Sequence, residues 1–159
     1  MIHFLGVLLL SLSIGAVGFV LSENLVRRYK VFDMLCRFSA SAADEMRCRN
    51  KNLFEILRSH GNGELAFLKN IDKEMLLDKN TLKKHIVNFR VNSCDADVIA
   101  DFLTGLGVGD INSQKDFCDY YGEKFDEIKK DSKKQIADKG KLQKSLFLFA
   151  GAAVFIIFI

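Results

Sequence analysis

Proline and tryptophan are both absent from this chain of 159 residues. Ordinary usage would place about eight prolines in such a length. Having none removes the commonest helix breaker, along with collagen-like or polyproline segments and proline-rich linkers. The length suits about one ordinary domain, and such a chain can be helical over most of it. Charge is missing from both ends, since all 23 Lys and Arg and all 20 Asp and Glu lie between Glu23 and Lys144. The balance of +3 is too small for a nucleic-acid binder, which would carry a basic stripe. No N-x-S/T acceptor is present to support export.

The uncharged ends are apolar. Ile2–Leu21 as a helix reaches about 30 Å, the thickness of a bilayer's hydrocarbon core, and is expected to be a transmembrane helix. A cleaved signal peptide would carry its positive charge before the apolar run, whereas here Arg27, Arg28 and Lys30 follow it. That bias places the downstream side in the cytoplasm. Ser145–Ile159 is shorter, about 22 Å of helix, and is expected to cross or embed in the membrane; a buried core helix or a re-entrant end is the alternative. Lys139, Lys141 and Lys144 precede it and again favour the cytoplasm, and Lys144 can extend its ammonium toward head groups. The expected organisation is an N-terminal transmembrane helix over 1–22, a cytoplasmic helical bundle over 23–144 and a C-terminal membrane helix over 145–159. Within the first span, Ser11 with Gly15 and Gly18 with Ser22 repeat a spacing that lets membrane helices approach closely.

Cys36, Cys48, Cys94 and Cys118 form no C-x-x-C pair and have no histidine at zinc-ligand spacing. They read as free thiols in a reducing compartment. A pair of disulfides would need the domain to face an oxidising space, against the charge bias.

Apolar residues continue past the first span at helical spacing, through Leu25, Tyr29, Phe32, Cys36, Ala40, Ala43 and Met46, so that helix is expected to run on into the bundle. Asn50 and Asn52 can cap a short helix carrying Leu53, Phe54, Ile56 and Leu57, stopped by Gly61-Asn62-Gly63. Short helices follow near Glu64–Asn70 and at Met75, Leu76 and Leu77. Asn80 or Thr81 can start one bearing Leu82, Ile86 and Phe89. Ser93 or Asp95 can cap the next, with a buried stripe of Ala96, Ile99, Phe102, Leu103 and Leu106. Gly105-Leu-Gly107-Val-Gly109 ends it. Asp110 then stands at an N-cap before Ile111, Gln114, Phe117, Tyr121, Phe125 and Ile128, and that helix can continue into the terminal apolar run. No alternating β-branched run competes, so the fold class is all-α.

Few residues suggest chemistry. The histidines at 3, 60 and 85 are dispersed, and His85 reads as a partly exposed helix residue. Gly105-x-Gly107-x-Gly109 resembles a phosphate turn but follows a helix and lacks the Lys-Ser/Thr of a P-loop. Asp110, Asn112 and Gln114 mimic the start of a calcium loop, yet Lys115 stands where glycine is required and Tyr121 where the closing glutamate belongs. Lys129, Lys130, Lys133 and Lys134 alternate with acids and read as a solvated helix face. No catalytic residue, cofactor or metal is expected.

The Arg27-Arg28-Tyr29 end of the first span, the helical middle and the terminal apolar run together resemble the stage III sporulation protein AB family of endospore-forming Firmicutes. The sharpest resemblance is Phe102-Leu-Thr-Gly-Leu106-Gly107-Val-Gly-Asp110-Ile-Asn-Ser-Gln114, similar to the family's Phe-x-x-x-Leu-Gly-x-x-Asp-x-x-x-Gln. Asp44-Glu45-Met46-Arg47-Cys48 with Leu53 and Glu55 is similar to a second family stretch, although Cys48 replaces a usual tyrosine and Asn52 a usual proline. The resemblance implies a non-enzymatic membrane platform subunit in the secretion-like apparatus linking mother cell and forespore. Its soluble part would be similar to the cytoplasmic domains of type II secretion F proteins. The implied partners are a cytoplasmic secretion-type ATPase like the AA protein of the same set, other membrane proteins of that apparatus and the lipid bilayer, with no nucleic acid. The implied location is the mother-cell membrane around the forespore. Glu45, Leu106, Gly107, Asp110 and Gln114 are the family-matching residues, each expected to fix local structure or contact a partner. The alternative is a membrane-tethered helical sensor or regulatory module that binds a soluble ligand or partner.

Overall fold

The computed structural model describes the backbone of residues 2–49 and 52–158, and the side chains of residues 23–46, 52–110, 113–138, 145 and 149. In chain order come α1 (Ile2–Arg49), α2 (Leu53–His60), a 3-10 helix (Gly63–Asn70), α3 (Lys73–Leu77), α4 (Lys79–Asn88), α5 (Ser93–Gly105) and α6 (Ile111–Phe158). No strand occurs among the described residues. With no proline to interrupt them, α1 and α6 each continue without a break from an apolar end into charged sequence. Apart from Ser145 and Phe149, the side chains of both apolar ends, and those of Lys139, Lys141 and Lys144, lie outside the described residues. Among the described residues no helix is long and apolar enough to cross a membrane.

The chain divides into two compact units. The larger, Lys30–Lys129, holds one hydrophobic core. From α1 it takes Val31, Phe32, Leu35, Phe38 and Ala42, which share a helix face at steps of three and four. This face is rotated from the expected line. Ala40 is exposed and Cys36 only half-buried, because the bulkier Leu35 and Phe38 take the centre and leave the smaller residues at its edge. From the middle come Ile56, Leu57, Leu65, Phe67, Leu68, Leu82 and Ile86, and α5 contributes Ala96, Ile99, Ala100, Phe102, Leu103 and, at its end, Leu106. Phe102 is the hub. Its ring meets Phe38 and Phe125 edge-on at 5.8 and 5.2 Å, stacks on Phe117 at 5.9 Å and touches Tyr121 at 5.3 Å.

The short helices are defined by their caps. Asn52 accepts from the Phe54 amide and starts α2. Asp78, and not Asn80 or Thr81, caps α4, because its carboxylate accepts both the Asn80 amide at 3.0 Å and the Thr81 hydroxyl at 2.5 Å. Those bonds hold the Asp78 carboxyl below the usual carboxylate range, the hydroxyl bond contributing most. Asn92 likewise displaces Ser93 and Asp95 as the α5 cap, accepting from the Cys94 amide, while Asp95 lies buried in the first turn. Helix α3 has no fully buried residue: Met75 and Leu76 pack half-buried against the core, and Leu77 is 80% exposed.

Helices α4 and α5 run antiparallel in a fixed register. Lys79 pairs with Asp101 at 2.5 Å and, one turn on, Lys83 pairs with Asp97 at 2.6 Å. Hydrogen bonding to Asp101 raises the Lys79 ammonium above its usual range. The reversal between the helices passes through Arg90 at φ 62°, a left-handed position that costs a side-chain-bearing residue about 1 kcal/mol.

The smaller unit joins Met1–Tyr29 with Lys130–Ile159. Within it Arg28 donates to Asp131 at 3.4 Å, Gln135 donates to the same carboxylate at 2.8 Å, and Ser132 is fully buried.

Candidate functional site

Four of the five family-matching residues meet in the turn from α5 to α6. Leu106 is buried and anchors the end of α5 in the core. Gly107 follows at φ +84°, where a side chain would be strained, and a Cβ there would stand 3.3 Å from Leu53. Gly105 makes the other close approach: an added Cβ would fall 2.4 Å from the Phe117 ring, so glycine lets that ring stack on Phe102.

Gln114 holds this turn. Only 7% exposed, its Oε1 accepts the Gly107 amide at 2.8 Å, and its Nε2 donates to the Gly105 carbonyl at 3.3 Å and to the Val108 carbonyl. One primary amide thus supplies the acceptor and both donors that three backbone groups need. Asp110 begins α6: its carboxylate accepts the Ser113 amide and hydroxyl, and its carbonyl accepts the Gln114 amide at 2.9 Å. Replacement by alanine, Asp110→Ala, is expected to cost about 1 kcal/mol. Thermal melting of the full chain measures it, and an unchanged midpoint would refute the capping role.

Glu45 belongs to a different contact. Its Oε1 lies 2.9 Å from Nε2 of His60, which also has the Ser41 hydroxyl at 3.5 Å and the Phe38 ring at 5.2 Å. This ties α1 to the last turn of α2. His85, half-buried, sets Nε2 3.0 Å from the Phe67 carbonyl; a carbonyl only accepts, so that nitrogen carries the proton. Ser41 and Glu45 approach the same nitrogen of His60, so the carboxylate competes with the serine instead of orienting the ring from its other nitrogen, and His85 bonds a backbone carbonyl. Neither is arranged as a nucleophile–base–orienter set.

The described cysteines, Cys36, Cys94 and Cys118, are free thiols. Burial pushes the Cys118 thiol up to about 11, with Asp119 adding to the effect, and burial also raises Cys36. Both are poor nucleophiles near neutral pH. No group of three or more His, Cys, Asp or Glu able to hold a metal occurs among the described residues. Of the basic residues after the first apolar run, Arg27 is half-buried, Arg28 pairs with Asp131 and Lys30 is exposed.

The outward face of α6 escaped the sequence reading. Tyr120 is 60% exposed, one position off the buried stripe through Phe117, Tyr121 and Phe125. Helical spacing could have found it, because residues 116, 120, 123 and 127 share a face.

The geometry is that of a polar-shelled helical bundle stiffened by a clamped turn. Neither any curated protein nor any solved structure matches the chain. The family model for stage III sporulation protein AB does match, over residues 3–159, and the chain therefore belongs to that sporulation family.

Proposed function

We propose that this protein is a non-enzymatic platform subunit of the secretion-like apparatus between mother cell and forespore. It is anchored by its apolar ends in the mother-cell membrane, with the helical body in the cytoplasm. In this reading it couples a cytoplasmic secretion-type ATPase, like the AA protein of the same set, to the other membrane components. The observation that carries it is the family match over residues 3–159 on a chain whose charge is confined between Glu23 and Lys144. Supporting it are the positive residues just inside each apolar run and the use of Leu106, Gly107, Asp110 and Gln114 to shape a turn. Phe149, in the terminal apolar run, is exposed, as a lipid-facing residue would be.

The test is affinity capture of the tagged full chain from membranes of sporulating cells. Recovery of a secretion-type ATPase with membrane proteins of the apparatus is the expected result. Its consistent absence would overturn the coupling role. Reporter fusions after residue 22 and within residues 60–64 test the topology, and an external reporter at either site would overturn it.

A further inference from the structure

Two exposed helix faces of the larger unit carry charge of opposite sign that is unpaired among the described residues. On α6, Asp116, Tyr120, Glu123 and Glu127 line one side with Asp119 at its edge, all exposed. These four carboxylates make no ion pair among the described residues, and the neighbouring Lys124 is turned over the Tyr121 ring, 5.6 Å from its centre. The stripe therefore keeps its negative charge, with a tyrosine at its middle.

On α4, a cleft of about 450 Å³ opens between Asn80, Lys83, Lys84, Val87, Asn88 and Ser93. It begins where the α4–α5 ion-pair ladder ends: the next rung would set Val87 opposite Ser93, and neither is charged. Lys84 is exposed and makes no ion pair among the described residues, Lys83 spends its charge on Asp97, and Val87 offers an apolar wall. The cleft has room for an aromatic ring, amide and hydroxyl groups to meet a phenol, and a cation beside it.

From this complementarity we infer that the occupant of the α4 cleft is a second copy of this chain. Tyr120 of one copy seats between Val87 and Asn88 of the next, and Glu123 beside it meets Lys84, the cleft's unpaired lysine. Tyrosine is the kind of residue that anchors such contacts, and the flanking charges set the register. Each copy carries both halves, so the contact either closes a pair or ring or repeats along a chain of subunits. The inference is independent of the platform reading, which needs no self-contact through these faces.

The test uses the full chain in detergent micelles, with protein mass measured by light scattering at about 50 mM and about 500 mM salt. Mass above one chain at low salt, falling at high salt, is expected. Tyr120→Ala and Lys84→Glu should each weaken association about tenfold, with the melting midpoint unchanged. Mixing Lys84→Glu with Glu123→Lys should restore it, because the mixture offers an opposite-charge contact in both directions. A mass indifferent to salt and to both single variants would overturn the inference, and so would failure of the mixture to recover.

Discussion

Truncating the Phe102 ring to alanine is expected to remove about 3–5 kcal/mol, the largest loss from any single substitution considered. The ring is fully buried and touches Phe38, Phe117, Tyr121 and Phe125, which come from α1 and α6. Deleting it therefore leaves a void that no single helix can close by shifting. A domain of this size holds about 5–15 kcal/mol in total, so Phe102→Ala should stand near unfolding at growth temperature. Urea denaturation of the full chain followed by circular dichroism measures the change. A loss below about 1 kcal/mol would mean that the aromatic cluster is not the centre of the core.

The second large effect is expected at Gln114. In Gln114→Leu the volume is nearly kept, but the Gly107 amide and the carbonyls of Gly105 and Val108 lose their partner. Water can reach Gly107 and Val108, which are exposed, so the cost is about 2–3 kcal/mol and not the full penalty of three buried orphans. Gln114→Glu separates hydrogen bonding from packing. Its carboxylate can still accept from Gly107 but faces two carbonyl oxygens it cannot donate to, which raises its pKa in the folded state above the unfolded value of about 4.3. The folded form then binds more protons than the unfolded one, so this variant should gain stability as pH falls through the raised pKa. The parent should show no such gain at that site. A Gln114→Glu protein whose deficit is constant from pH 8 to about pH 4 would refute the three-way clamp.

The all-helical class and most helix positions were legible because the apolar spacing is regular and no proline breaks it. The failures have local causes. Around Asp78 and Asn92 several polar residues compete for one cap, and the spacing alone cannot say which side chain reaches the free amides. The line through Cys36 and Ala40 follows the right period but the wrong face, since periodicity ignores size and the core is centred on Leu35 and Phe38. Phe67 and Leu68 were not singled out because they sit on a 3-10 helix, whose three-residue turn disrupts the expected stripe. At the candidate site, the glycine–leucine–glycine stop and the Asp110 cap could be read in order along the chain. The three bonds of Gln114 could not, because they depend on where the turn brings carbonyls that have no identity in sequence. Nor could the pairing of Glu45 with His60, fifteen positions away.

The closing contacts of the larger unit join residues far apart in the chain. The Cys36 thiol reaches the Gly122 carbonyl across 86 positions, and Phe32 packs on Phe125 at 5.9 Å. During synthesis at about 5–20 residues per second, the greasy side of α1 leaves the ribosome several seconds before its covering partner exists. The nascent protein must shelter Phe32, Leu35 and Phe38 with the intervening short helices, or with a chaperone, until α6 emerges to complete the bundle.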